Sequence, residues 1–210
     1  MKTTFLRVLE AENKATALRA AIGGGGTEVG HTRFNIDPES FAQVPRSPFA
    51  YWVSDSLREA FATLTPFESE GRVARQGLAT ADDFRFVRLA TEVPPEAVGE
   101  RWFPFAKGGK YSPFYADIYL CVNWASEGIE IWNFYKPGSD RLASRPQNTS
   151  YFCRPGLTWP LRTKSELSFR VMPRGCAFGH KGPVAVVEND DEAQLLALLA
   201  IANSKAFCAM

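Results

Sequence analysis

The chain has 210 residues, 45% of them hydrophobic, with 24 Lys/Arg against 23 Asp/Glu and a net charge of +1. That length can bury a substantial core as one domain, or as one domain plus an extension. No run approaches the ~20 apolar residues of a membrane helix, and residues 1–9 carry Lys2 and Arg7 with no long apolar stretch, so a cytoplasmic protein without span or signal peptide is expected.

In chain order, the first pattern is helical: Phe5, Leu6 and Leu9, then Ala15, Leu18, Ala21 and Ile22, recur at helical spacing. Gly23-Gly24-Gly25-Gly26 ends it as a flexible break or exposed turn. A phosphate-binding glycine loop would need a strand before it and a GK[ST] or GxGxxG pattern, and neither is present. Residues 34–45 read as extended. Ser54 is then the expected N-cap of a helix with Asp55 in its first turn and Leu57, Ala60, Phe61 and Leu64 along one face. Tyr51 and Trp52, just before it, read as packing residues. From about residue 69 the chain turns to short runs of Val, Ile, Phe and Tyr broken by Gly, Pro and Asn. Residues 84–89, 118–124, 129–134, 168–172 and 184–188 are expected strands, with Ser126-Glu127-Gly128 as a hairpin turn. The last helix, from residue 191 to about 209, opens with acidic residues and is apolar on nearly every side, so it should be buried. The expected fold is α+β: a twisted, largely antiparallel sheet over 69–210, a helical extension over 1–68, and a buried C-terminal helix.

The net charge hides an asymmetry. Residues 101–186 carry 12 Lys/Arg against 5 Asp/Glu, whereas the remainder carries 12 against 18. A basic half on an otherwise acidic chain is the electrostatic footprint expected of a polyanion-binding face, with an unevenly charged solvated surface as the lesser alternative. Cys121, Cys153, Cys176 and Cys208 have no metal-ligand spacing, and His31 and His180 are isolated, so no metal site is expected and the thiols should be reduced.

One block concentrates guanidinium groups, amides and aromatics on turns: Ser144-Arg145-Pro146-Gln147-Asn148, then Tyr151-Phe152-Cys153-Arg154-Pro155-Gly156-Leu157-Thr158-Trp159-Pro160. Arg72-Val73-Ala74-Arg75-Gln76-Gly77-Leu78-Ala79-Thr80-Ala81-Asp82-Asp83-Phe84-Arg85-Phe86 and Trp102-Phe103-Pro104-Phe105-Ala106-Lys107-Gly108-Gly109-Lys110 precede it, as does Tyr119-Leu120-Cys121-Val122-Asn123-Trp124. Arg174-Gly175-Cys176-Ala177-Phe178, Lys181-Gly182-Pro183 and the run from Leu195 to Lys205 follow. This ordered set, over roughly residues 41 to 207, resembles the target-recognition region of type IIG restriction–methyltransferase enzymes and of BREX-type adenine-specific DNA methyltransferases. The resemblance implies double-stranded DNA as partner and a methyltransferase domain in cis or in trans. It also implies S-adenosylmethionine as the cofactor of a parent adenine-N6 enzyme, with none held by this chain. Ala81 stands where the family's turn usually has glycine. The chain would then be an excised domain, a split subunit or a truncated product.

Catalytic signatures are missing from the sequence. It has no N-P-P-[YF] motif, no glycine loop after a strand, no clustered carboxylates with a lysine, and no nucleophile elbow. The chain alone is therefore expected not to be catalytic.

Candidate DNA contacts follow from side-chain chemistry. Lys107 and Lys110 flank Gly108-Gly109, and Lys181 with His180 stands at a glycine-flanked turn, so these suit phosphates. Arg145, Gln147 and Asn148 carry planar groups able to read base edges. Thr158, Trp159 and Arg162 form a further polar stretch, and Thr80 and Arg154 lie within the family motifs. Arg170 alternates with Phe169 and Val171, which predicts one basic strand face and one apolar face. Arg72 and Arg75 fit either phosphate contacts or a salt-bridged strand edge. Trp102, Trp124 and Phe152 read as core. The alternative function is a protein-interaction module or specificity subunit docking on a separate methyltransferase through the last helix and the Tyr51-Trp52 segment.

Overall fold

A computed structural model describes residues 1–23, 32–164 and 166–208. His31 and Gly24 to Gly26 of the glycine run lie outside the described residues. The chain divides into two compact units, Met1–Pro66 and Phe67–Met210.

The first unit opens with a strand, not a helix. Strand β1 (Thr3–Arg7) pairs antiparallel with β2 (Thr32–Ile36), flanking helix α1 (Lys14–Ile22), which Asn13 caps by accepting from the Thr16 amide at 3.0 Å. The five-residue run Thr3-Thr4-Phe5-Leu6-Arg7 is rich in strand formers, and the ring of Phe5 stacks on Tyr51 at 4.9 Å, a contact that local periodicity does not reveal. Helix α2 (Asp55–Thr63) is capped by Ser54, as expected, but its buried residue is Arg58. That guanidinium donates to the carbonyls of Ala50 and Val53 and pairs with Asp55, while Phe61 and Leu64 remain exposed. Trp52 is exposed as well, with Arg7 over its ring.

The second unit is α+β with antiparallel sheets and several helices. Its chain order runs β3 (Val73–Arg75), a helical turn α3 (Asp83–Phe86), β4 (Val87–Leu89), β5 (Trp102–Ala106), β6 (Leu120–Asn123), α4 (Ala125–Trp132), β7 (Gly156–Thr158), β8 (Arg170–Met172), β9 (Ala177–Phe178), β10 (Val184–Val186), α5 (Glu192–Ala202) and α6 (Lys205–Cys208). The strands form two four-stranded sheets, ordered β3-β10-β7-β8 and β4-β6-β5-β9, where a single sheet was expected. The pair β5–β9 is parallel and the other pairs are antiparallel.

Burial explains the arrangement. Val184 and Val186 enter the main core with Phe86, Phe105, Val122, Ile131, Met172 and Phe178, whereas Ala185 and Val187 pack with Leu157, Leu195 and Leu199. Strand β10 is thus covered on both faces, which is why its run is continuously apolar. Phe152 meets Trp124 and Phe178 edge-on at 4.9 and 5.1 Å, so both Trp124 and Phe152 are core. Trp102 is only half-buried, with Arg88 and Arg101 over its ring.

Four expectations in this unit need correcting. Residues 129–134 are not a strand: α4 covers most of them, because Ile131 must point into the core while Ile129 stays out. Ser126-Glu127-Gly128 is not a hairpin turn but a left-handed stretch with φ of 48°, 57° and 79°. A Cβ on Gly128 would lie 2.3 Å from the Trp124 ring, so only glycine fits against that face. The last helix is buried along Leu195, Leu199 and Ala202 alone; Leu196 and Ile201 are exposed, and the helix breaks at Asn203, whose side chain accepts from the Phe169 amide and donates back to its carbonyl. In the same way, residues 84–89 form the end of α3 followed by β4.

Candidate nucleic-acid interface

The parallel pairing of β5 with β9 sets the site, because it carries two glycine-bearing segments off the sheet side by side. Phe105 is in register with Ala177 and Ala106 with Phe178, and the Gly179 amide donates to Ala106 O at 2.8 Å. Residues 107–110 and 179–182 therefore leave the sheet together. A Cβ on Gly108, at φ +88°, would lie 2.4 Å from Lys181 O, so the close approach of the two loops requires glycine there. A third segment joins through the Leu161 amide, which donates to the same Lys181 carbonyl at 3.0 Å.

These contacts gather four side chains from three segments far apart in sequence. Lys107, Arg162, His180 and Lys181 line one pocket of about 350 Å³, with Pro160, Leu161 and Gly109 completing its wall. Arg162 and Lys181 are exposed and form no ion pair among the described residues. Lys107 is half-buried and pairs with Asp83, which also accepts from the Thr80 hydroxyl. Burial alone would raise the Asp83 carboxyl, but the bonds from Lys107 and Thr80 and the nearby Lys181 charge outweigh it and hold it below its ordinary value. His180 turns its Nδ1 toward Leu78 O at 3.4 Å. Lys110 stands exposed at the far end of the glycine pair.

The Arg145 segment lies along another edge. The backbones of Arg145 and Ala79 exchange two hydrogen bonds, at 2.8 and 3.1 Å, and leave the Arg145 side chain exposed and unpaired among the described residues. Asn148, in the left-handed region at φ 51°, donates its amide to Gln76 O at 2.8 Å, and Gln147 donates to Gly77 O at 3.4 Å. Both amides hold the loop onto residues 76–77. The expectation that Gln147 and Asn148 project free edge-reading groups is therefore corrected; Arg145 alone of the three presents an unengaged one.

Other expected contact residues are buried in the fold or engaged by it. Arg170 does not form a basic outer face: it and Met172 point inward while Val171 points out, because the guanidinium donates to the carbonyls of Gly108 at 2.6 Å and Lys110 at 3.2 Å. Thr158 and Thr80 are buried. Trp159 packs on Phe169 at 4.9 Å beside the last helix. Arg154 bonds Asp190 and Val187 O, at 2.7 Å each, and with Arg174 clamps the turn before α5. Arg75 pairs with Glu68 and lies over Tyr151, the salt-bridged strand edge of the two readings. Sequence reasoning did not place Asp83 beside Lys107, although Thr80-x-x-Asp83 is a capping-box-like spacing that could have drawn notice.

The cysteines act as small apolar groups. Cys121 and Cys176 are buried, and burial, with the nearby thiols of Cys153 and Cys121 adding to it, pushes Cys176 up to about 12.

No protein-family profile matches the chain. The adenine-specific methyltransferase BrxX of Escherichia coli O9:H4 (strain HS) is 30% identical over 178 residues, which are 81% of this chain and 14% of that protein. The chain is similar to a segment of adenine-specific methyltransferases. The adenine-specific methyltransferase PglX of Lacticaseibacillus casei (strain Zhang) is 28% identical over 176 residues, 79% of this chain and again 14% of the relative. The chain thus spans about 14% of the length of the curated relatives it matches. Among the described residues no helix is long and apolar enough to cross a membrane.

Proposed function

We propose that this chain is the DNA-contacting, target-recognition portion of an adenine-specific DNA methyltransferase of the BREX or type IIG kind, with catalysis and S-adenosylmethionine binding located in other parts of the enzyme. The observation that carries the reading is the convergence of Lys107, Arg162, His180 and Lys181 on one pocket, from three segments remote in sequence. Point charges beside glycine backbone suit phosphates, and phosphate contacts fix position without reading sequence. Arg145, exposed on its braced loop, is the base-edge candidate. Fluorescence anisotropy with labelled duplex should show binding that weakens steeply as salt rises, with a slope of about −0.9 per phosphate neutralised. Salt-independent binding, or none at low salt, would remove the reading.

One observation favours a second role for a different face. Phe67, Trp159, Phe169, Leu198, Ile201 and Phe207 line a wholly apolar groove of about 250 Å³ beside the exposed side of α5. That surface suits docking on the methyltransferase domain, in cis or in trans. Ile201→Glu should abolish co-purification with that domain while leaving duplex binding by the chain unchanged; retained co-purification would exclude this surface.

A further inference from the structure

Arg170 is 5% exposed, yet no carboxylate among the described residues pairs with it. A buried cation without a counter-charge is costly, and its burial holds the guanidinium below its ordinary value. Arginine has five N–H donors. Two interactions, to Gly108 O and Lys110 O, account for only part of them.

The surroundings of Arg170 share one chemical preference. It borders a pocket of about 140 Å³ that shares Lys107 and Gly109 with the lysine pocket. Thr158, in register with Arg170 on the neighbouring strand, stands in the wall; it is 3% exposed and its hydroxyl has no partner among the described residues. Gly108 and Gly109, at φ +88° and +131°, form the rim, and their amides and that of Lys110 donate to no acceptor among the described residues. The guanidinium lies directly under Gly109: a Cβ there would be 3.5 Å from Arg170 Nη2. Asp117 also borders the pocket, but its carboxylate accepts from the Tyr115 hydroxyl at 2.7 Å and forms no ion pair with Arg170.

We propose that this pocket is an anion site that seats one phosphate group against Arg170 and the Thr158 hydroxyl. A guanidinium fork beside an unpartnered hydroxyl suits a tetrahedral oxyanion. The volume of about 140 Å³ is enough for a phosphate group. The phosphate belongs either to free inorganic phosphate or to a nucleic-acid backbone; the shared group is what the site recognises. The inference goes beyond the DNA reading and does not require it.

The test is an amide NMR titration of the ¹⁵N-labelled chain with inorganic phosphate, ionic strength held constant with chloride. Saturable shifts centred on Gly108, Gly109 and Lys110 are expected. Arg170→Gln should weaken them by about tenfold or more, and Arg170→Lys, which keeps the charge and loses the fork, by less. Thr158→Val, which keeps the shape, should weaken them several-fold and serves if the Arg170 variants do not fold. Shifts linear in phosphate, or centred elsewhere, would overturn the inference, as would an unchanged midpoint in Thr158→Val together with a folded Arg170→Gln. Repeating the titration with short duplex present separates the sources. Competition assigns the seat to a backbone phosphate, simultaneous binding assigns it to the free anion, and either supports the site. Failure of duplex binding with a saturable phosphate response would remove the DNA reading and leave this site standing.

Discussion

Lys107 lines the pocket while paired with Asp83, so the ion pair restrains and partly neutralises a cation that the proposed interface uses. Asp83→Asn tests this, because asparagine can still accept from the Thr80 hydroxyl while losing the charge that holds Lys107. The Asp83 side chain is 57% exposed, which places the pair among surface ion pairs worth at most about 1 kcal/mol. Releasing Lys107 should therefore tighten duplex binding by up to about fivefold at low salt. One more phosphate neutralised should also steepen the salt slope by about 0.9, so that raising salt from about 50 to 200 mM weakens the variant roughly threefold more than the parent. Fluorescence anisotropy at several salt concentrations measures both quantities, and the thermal midpoint controls for folding. Weaker binding, or an unchanged slope, in a variant that keeps its midpoint would refute the reasoning.

Further outcomes follow from other contacts. Arg154→Ala removes the bonds to Asp190 and Val187 O and should destabilise by about 1–2 kcal/mol in denaturant unfolding, without changing the salt slope of DNA binding. For Asp190, burial would raise the carboxyl but the bonds from Arg154 and Arg174 hold it below 3.8, so its contribution is present above the unfolded value and is lost as pH falls through the folded one; acid unfolding of Arg154→Ala should accordingly show a smaller decline below about pH 4. Ala81 sits at φ +62°, so Ala81→Gly should raise stability by about 0.5–1 kcal/mol in the same assay. A thiol reagent should label exposed Cys208 in the folded chain and reach Cys176 only on unfolding, as read by mass spectrometry of digests.

What the sequence made legible were features with a local cause. Ser54 as an N-cap, a strand beginning at Val184 and the core roles of Trp124 and Phe152 all follow from short-range pattern and composition. Features fixed by distant partners were not legible. Ile129 and Ile131 alternate as a strand would, but the three left-handed residues before them, seated on Trp124, turn the chain into a helix. Arg170 alternates with apolar neighbours in either orientation; only the carbonyls of Gly108 and Lys110, about 60 residues earlier, draw it inward. The candidate site divides along the same line. Lys107 and Lys181 were marked by adjacent glycines, but their meeting depends on the parallel β5–β9 pair, and Asn148 was misread because its acceptor, Gln76 O, lies 72 residues away.

Lysine acetylation footprinting, with and without duplex DNA, addresses the central claim most directly. Each lysine reports its own environment, and those outside the site serve as internal controls. Duplex should protect Lys110 and Lys181 together, with Lys107 slow in both states because of its pair with Asp83, while Lys14, Lys136 and Lys205 keep their reactivity. Protection confined to Lys14 or Lys205, or spread evenly over all lysines, would contradict the placement of the DNA-contacting surface at the glycine loops.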